Sequence, residues 1–480
     1  MLVDIVKIEW IAIIAFVLHA IGILAAVHAI MTARTSQGAI AWALLLILFP
    51  YATLPAYAAF GRGKFAGYVK ARRAGDSQID HLARSLEKKI HLFRVRDEDF
   101  FDPRYAALNE LAEMPFTGHN DARLLVNGSE AFPAMFAGME AAKNYIIVQF
   151  FIIHDDHLGR QLKDILMRKA REGVRVYVLF DEIGSYHLPR QYRRDLAEVG
   201  AIVLPFRTSR GLRNRFQINF RNHRKIVIAD GKVAYVGGLN VGDEYMGQHK
   251  RFGPWRDTHV EVRGPVVQAI QFGFLEDWYW ATGDIPDLDW TPEPGPEGNE
   301  IALCLGSDPS DVIETCGLFF MHVINSAKKR IWIASPYFVP DTSLMYALQL
   351  AALRGVDVRV MLPQKPDHKM VYLAAFSYIA EAEPSGVKFF RYQPGFMHHK
   401  VILVDDDLAA IGTANFDNRS VRLNFELMLI FASQGFVSKV SQMLENDFKN
   451  CSQTTTDDFA RRPIWFHFAV RLARLLAPIL

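Results

Sequence analysis

Two long apolar runs open the chain. From Trp10 to Met31 only His19 and His28 interrupt the hydrophobic positions, and from Gly38 to Phe60 no residue is ionisable except Tyr51 and Tyr57. At 1.5 Å per residue the first run spans about 33 Å, enough to cross a hydrocarbon core. No basic leader with a cleavage site is present, so the runs predict a two-helix transmembrane hairpin (spans about 10–31 and 38–60) joined by the loop Thr32–Gln37. Arg62, Lys64, Lys70, Arg72 and Arg73 follow with no acid before Asp76, which assigns that side to the cytoplasm. Residues 62–118 are mixed and charged, a linker with a helix or two. Beyond them the pattern changes. Tyr145–Ile153 and Arg175–Phe180 are unbroken apolar, β-branched and aromatic runs, and Leu158–Glu172 between them has helical spacing. Such alternation predicts an α/β unit with a buried, mostly parallel sheet.

The pattern then repeats. Ile285–Glu300, with four prolines and two glycines, is a linker. After it, Ala327-Lys-Lys-Arg-Ile-Trp resembles Ala142-Lys-Asn-Tyr-Ile-Ile, and Gly355-Val-Asp-Val-Arg-Val resembles Gly173-Val-Arg-Val-Tyr-Val. His398-His-Lys-Val-Ile-Leu-Val-Asp405 resembles His223-Arg-Lys-Ile-Val-Ile-Ala-Asp230. The offsets are 185, 182 and 175 residues, in order, as in a duplicated domain with altered loops. The predicted organisation is a hairpin (1–61), a linker region (62–118), a first domain (119–284), a linker (285–300), a second domain (301–450) and a tail (451–480).

The repeat carries chemistry. H-x-K-x4-D occurs as His223, Lys225, Asp230 and again as His398, Lys400, Asp405. Asn240 and Asn415 each follow their histidine by 17 residues, after Gly237-Gly238 and Gly412. On a strand, i and i+2 share a face, so each copy projects an imidazole and an ammonium together. Two such faces docked about a pseudo-twofold axis surround one point with cations and amide donors, a setting for a phosphodiester. One imidazole can attack phosphorus while the other protonates the leaving alkoxide. Lysines and asparagines would stabilise the non-bridging oxygens. Neither His154-Asp-Asp-His157 nor His398-His399 has a second pair at metal-ligand spacing, so no metal and no cofactor is expected.

Composition narrows the classes. Half of the 480 residues are hydrophobic and 22% are charged, which excludes a disordered chain. The three cysteines, Cys304, Cys316 and Cys451, give no disulfide framework, and the first two suit buried small hydrophobes. A net charge of +2 says little, but its distribution says more. Arg207, Arg210, Arg213, Arg215, Arg221 and Arg224 occur without an intervening acid and interleave with apolar residues. Arg210, Arg213 and Arg215 are therefore expected at an anionic lipid surface rather than on nucleic acid. The tail places Ile464, Phe468, Leu472, Leu475 and Ile479 on one helical face and His467, Arg471 and Arg474 on another. Trp465, Arg471 and Arg474 are the expected interfacial residues.

Residues 120–450 resemble the phospholipase D superfamily, whose mark is this twice-occurring HKD motif. Within it the chain is similar to the membrane-anchored bacterial cardiolipin synthases. The resemblance rests on Asn219–Ile226, Gly237–Tyr245, Pro254–His259, Ser335–Asp341 and Gly412–Ser420, and on Ala41-Trp42 and Phe49-Pro50 in the hairpin. It implies two tandem α/β phospholipase D-like domains, mixed sheets flanked by helices, sharing one site. It also implies a phosphatidyl transfer between two phosphatidylglycerol molecules, giving cardiolipin and glycerol at the bacterial inner membrane, with the catalytic domains on the cytoplasmic side. An acid orients each histidine in that family, and Asp257 and Glu426 match those positions. Asp230 and Asp405 take a structural, ion-pairing role. Gln149-Phe150-Phe151 departs from the acid and tyrosine often found there. A hydrolytic phospholipase D, a tethered nuclease and a non-catalytic lipid-binding scaffold are the competing readings. Oligomeric state is not encoded in these features.

Overall fold

The computed structural model describes residues 2–61, 65, 77–95, 105–208 and 219–479. The basic cluster at 62–73, apart from Phe65, and Arg210, Arg213 and Arg215 lie outside the described residues. The chain divides into two compact units, Met1–Arg73 with Arg207–Phe220, and Ala74–Phe206 with Arg221–Leu480.

In the first unit α1 (Leu2–Thr32) contains Glu9–Thr32, 24 residues of mean hydropathy 2.5, long and apolar enough to cross a membrane. The second apolar run is not the continuous span 38–60 that its composition predicted. It forms α2 (Ser36–Leu48) and α3 (Pro50–Phe60), of 13 and 11 residues. Pro50 supplies no backbone N–H and disfavours helical geometry at Phe49, so the first helix ends there and Pro50 opens the next. Thr35 caps α2 by accepting from the Gly38 N–H. Gly22 permits close packing of α1 on α2: a Cβ there would lie 2.4 Å from the Leu46 carbonyl oxygen. His28 Nδ1 and the Tyr57 hydroxyl meet at 2.8 Å.

The second unit is built on one 16-stranded mixed sheet. In the first repeat the strands of the unit are β1 (Thr117–Val126), β2 (Tyr145–Phe150), β3 (Arg175–Asp181), β4 (Ile202–Phe206), β5 (Arg221–Asn222), β6 (Ile226–Ala229), β7 (Val233–Gly237), β8 (Trp255–Arg256) and β9 (Thr258–Arg263), all but β8 in this sheet. The second contributes β10 (Glu300–Ser307), β11 (Arg330–Ala334), β12 (Phe338–Val339), β13 (Asp357–Pro363), β14 (Lys388–Tyr392), β15 (Phe396–Met397), β16 (Val401–Val404), β17 (Leu408–Gly412), β18 (Phe416–Asp417), β19 (Asn424–Phe431) and β20 (Cys451–Thr454); β12 with β18 and β15 with β8 form separate two-stranded sheets. From one edge the order is β4-β3-β2-β6-β7-β9-β1, and inward from β20 it is β14-β13-β11-β16-β17-β19-β10. The two sequences correspond strand for strand, as the internal repeat predicts. β1 and β10 pair antiparallel and make the sheet continuous. Only β2-β3-β4 and β11-β13-β14 are parallel, and the other neighbours on this path are antiparallel, which corrects the mostly parallel sheet read from the apolar runs.

β2 is buried along its whole length, with helices 127–141 and 157–171 in the same hydrophobic core. Helix 157–171 is capped by Asp156, which accepts from the Gly159 N–H, so His154–His157 is a turn leading into a helix. Residues 284–299 form neither helix nor strand, but Arg175 pairs with Asp287 and Gln271 Nε2 donates to the Asp289 carbonyl at 2.9 Å. Cys304 and Cys316 are buried.

Candidate active site

The apolar runs that form β6 and β16 fix the position of each motif. His223 and Lys225 precede β6, and His398 and Lys400 precede β16; all four are at most 8% exposed. Each motif is also gripped by the other repeat. β5, just before His223, pairs in parallel with the start of β19. β15, just before His398, pairs in parallel with β8. The His223 N–H donates to the Phe425 carbonyl (2.9 Å) and the His398 N–H to the Arg256 carbonyl (2.8 Å), so each histidine lies beside the acid that follows. His223 Nδ1 is 2.9 Å from Glu426 Oε2, and His398 Nδ1 is 2.8 Å from Asp257 Oδ2. Both expected acids therefore hold a histidine, and both do so across the repeat boundary. A carboxylate only accepts, so Nδ1 carries the proton and Nε2 is left as the reactive nitrogen.

The acids are themselves fixed. Thr413 Oγ1 (2.6 Å), Ser420 Oγ (2.8 Å) and Asn424 Nδ2 (3.1 Å) donate to Glu426. Asp257 accepts the Thr258 N–H at 2.8 Å, and Gly238 makes room for it, since a Cβ there would lie 2.1 Å from Asp257 Oδ1. Arg256 forks onto Asp447 (2.8 and 2.7 Å), anchoring β8 to the helix 434–448 of the second repeat.

Electrostatics follow from burial. Desolvation lowers His223 and His398 to about 4, against the attraction of Glu426 and Asp257 respectively. Burial lowers Lys400 to about 8 and pushes Lys225 well down. Burial alone would raise Asp257, but Lys400 and His398 outweigh it and hold its carboxyl below the usual range. Lys400 also acts on His223 and on Lys225, so the two motifs occupy one electrostatic neighbourhood.

The motif aspartates lie elsewhere. Seven residues of mostly extended chain put Asp230 about 20 Å from His223. Asp230 and Asp405 open the β6–β7 and β16–β17 turns with φ of +54° and +50°, a conformation aspartate tolerates. Asp230 accepts the N–H groups of Lys143, Asn144 and Tyr145, and Asp405 those of Lys328, Lys329 and Arg330. These contacts with backbone amides give both aspartates a structural place in their turns. Asn240 accepts from the Ile152 N–H and donates to the Tyr245 hydroxyl, so its amide is already engaged; Asn415 is buried.

The basic run ends differently from its reading as a lipid-facing segment. Arg224 is 1% exposed and donates to Asp277 (2.9 Å), the Gly273 carbonyl and the Glu426 carbonyl. Gln149 joins that network through Asn222 and Asp277, which accounts for a neutral residue at this position. In the tail helix, Ile464–Leu475, Phe466 and Val470 dock on Phe376, while Ile464, Trp465, Phe468, Leu472 and Leu475 remain exposed. Arg471 is exposed, and Arg474, partly exposed, pairs with Glu381 at 2.6 Å. Tyr337, in the stretch Ser335–Phe338, donates to Asp367 at 2.5 Å, and Asp367 acts electrostatically on both His398 and Lys400.

Residues 135–251 and 320–451 match the family described as cardiolipin synthase, PLD-like domain, and residues 20–62 match the phospholipase D-nuclease N-terminal family. The chain belongs to the phospholipase D-like cardiolipin synthase family. It is an enzyme of phospholipid synthesis, a phosphatidyltransferase of the phospholipase D type. It is 48% identical over 470 residues to a cardiolipin synthase A of Pseudomonas putida, covering 96% of this chain and 97% of the relative. A cardiolipin synthase A of Pseudomonas aeruginosa is 48% identical over 472 residues, with 96% and 95% covered. The crystal structure of phosphatidylserine synthase from Haemophilus influenzae shares the fold, with a TM-score of 0.60 at 15% identity, over 79% of this chain and 100% of that one.

Proposed function

We propose that the chain joins two phosphatidylglycerol molecules into cardiolipin and glycerol through a phosphohistidine intermediate. The observation that carries this reading is the crossed pair of histidine–carboxylate contacts, which leaves two Nε2 atoms free to act on one phosphodiester. One neutral imidazole attacks phosphorus, the bond to the headgroup glycerol oxygen breaks, and the other imidazolium gives that oxygen its proton. The second histidine then takes the proton of the acceptor hydroxyl, whose oxygen displaces the first from phosphorus. A pKa near 4 keeps the nucleophile neutral at pH 7, and the arriving phosphodiester anion favours protonation of its partner. Lys225 and Lys400 offset charge on the non-bridging oxygens, and Asn240 and Asn415 support the pocket. Asp230 and Asp405 brace the turns and take no part in the reaction. The two repeats, 119–284 and 301–450, form one site related by a pseudo-twofold axis.

The first unit anchors the site to the inner membrane: α1 spans, α2 and α3 return beside it, and both ends face the cytoplasm. Trp465 and Arg471 meet anionic lipid, as do Arg210, Arg213 and Arg215. Labelling from the periplasm of a cysteine placed in the second unit would overturn this orientation.

In phosphatidylglycerol vesicles the purified chain should release one glycerol per cardiolipin. His223→Ala and His398→Ala should each abolish turnover, and the double variant should be hardly worse, because the two act as one machine. Near-normal turnover in either single variant rules out the shared site.

A further inference from the structure

Cardiolipin synthesis brings two anionic phosphodiesters into one pocket, and the motif cations answer only the one being attacked. The attacking hydroxyl is carried three carbons from its own phosphate. Since three bonds of chain span 3.8 Å, the six bonds between the two phosphorus atoms reach about 7 Å. A second cationic group is therefore required at that distance from the reacting centre, on one side of the site only.

The two repeats differ at the position that meets this requirement. Arg221, His223 and Lys225 alternate along an extended segment and share a face, while Asn222 and Arg224 turn to the buried Asp277 network. Arg221 thus stands about 7 Å from His223 along the strand. In the second repeat the same place is taken by Phe396, whose ring is 5.8 Å from His398 and 4.7 Å from Trp255. Arg419 lies on the short helix Asn418–Arg422 that leads into β19. Its carbonyl accepts the Leu423 N–H (2.7 Å), and the Leu423 carbonyl accepts the Arg221 N–H (3.3 Å), which brings the two arginines to one corner of the site. Both are half-buried, and Arg419 is within electrostatic reach of Glu426, the acid that holds His223. Burial lowers the pKa of both guanidiniums; Asp181 faces both, Asp417 also faces Arg419, and Arg419 acts on Arg221 as a like charge.

We propose that Arg221 and Arg419 bind the phosphodiester of the second, acceptor lipid, so that this corner selects a phosphate-bearing alcohol over glycerol or water. The proposal rests on the reading that the acceptor is phosphatidylglycerol.

The test uses the full chain with phosphatidylglycerol vesicles and labelled free glycerol. Cardiolipin formation needs the second phosphate, whereas exchange of labelled glycerol into phosphatidylglycerol uses the same phosphatidyl-enzyme without it. Arg221→Gln and Arg419→Gln should each lower the ratio of synthesis to exchange on the order of tenfold to a hundredfold, as loss of a charge-assisted contact does. Arg221→Lys and Arg419→Lys, which keep the charge but lose the fork, should lower the ratio less. A parallel fall in both reactions, or an unchanged ratio, overturns the proposal. If the Gln variants fail to fold, an unchanged ratio in the Lys variants overturns it equally. Wild-type protein that exchanges glycerol but makes no cardiolipin contradicts the underlying reading instead.

Discussion

At the residue scale, Lys400 sits two positions from His398 and loses its proton near pH 8, because burial costs the ammonium more than Asp257 and Glu426 return. An amine below its pKa is charged and above it neutral, so the cation offered to phosphate disappears as pH rises through about 8. The kcat/KM profile should fall on that limb, and Lys400→Arg, charged throughout, should remove the fall or move it beyond pH 10. A limb unchanged in the arginine variant assigns it to another group. The alternation of His and Lys was legible in the sequence because it is local, set by the period of an extended chain. The crossing of the acids was not: His223 and Glu426 are 203 residues apart, His398 and Asp257 are 141 apart, and only the pairing of β5 with β19 and of β15 with β8 brings them together. Arg224 was misread for a related reason. In a run of basic residues it looks solvated, while the carboxylate that buries it, Asp277, is 53 residues away.

At the element scale, the turn after each central hairpin strand decides whether an acid can reach its histidine. Gly238 and Thr413 occupy the same place in the two repeats. The glycine clears a path for Asp257, whereas the threonine hydroxyl donates to Glu426 at 2.6 Å. Gly238→Ala should cost about 1–3 kcal/mol by overpacking and lower activity more than the loss of stability explains, since it displaces Asp257. Gly273→Ala is the control. That residue is inside helix 266–282, with its nearest neighbours at 3.7 and 3.8 Å, so alanine should raise stability by about 0.5–1 kcal/mol. Thermal unfolding and turnover measured together separate the two outcomes. Two helices show what periodicity leaves open. The tail is apolar along Phe466, Val470 and Ala473 as well as along Ile464, Phe468, Leu472 and Leu475; a 3.6-residue repeat finds both stripes but cannot say which one docks. Hydropathy made residues 38–60 one span because it weighs apolarity and ignores the amide hydrogen that Pro50 lacks.

At the scale of the whole molecule, the sheet runs unbroken through β1 and β10, and each histidine depends on an acid from the opposite repeat. The duplication was legible as three ordered sequence matches, since repeated strands carry repeated apolar runs. The fusion of both repeats into one sheet was not, because edge pairing leaves little mark on composition. The central claim is that two crossed histidines share one phosphodiester and that one of them carries it between lipids. Rapid quenching during turnover of phosphatidylglycerol labelled at phosphorus, followed by digestion and mapping under alkaline conditions, tests this directly. An acid-labile, alkali-stable phosphoramidate on His223 or His398 is the predicted result. Label on any other side chain, or none on these two while cardiolipin accumulates from a phosphatidyl-enzyme demonstrated by glycerol exchange, would contradict it.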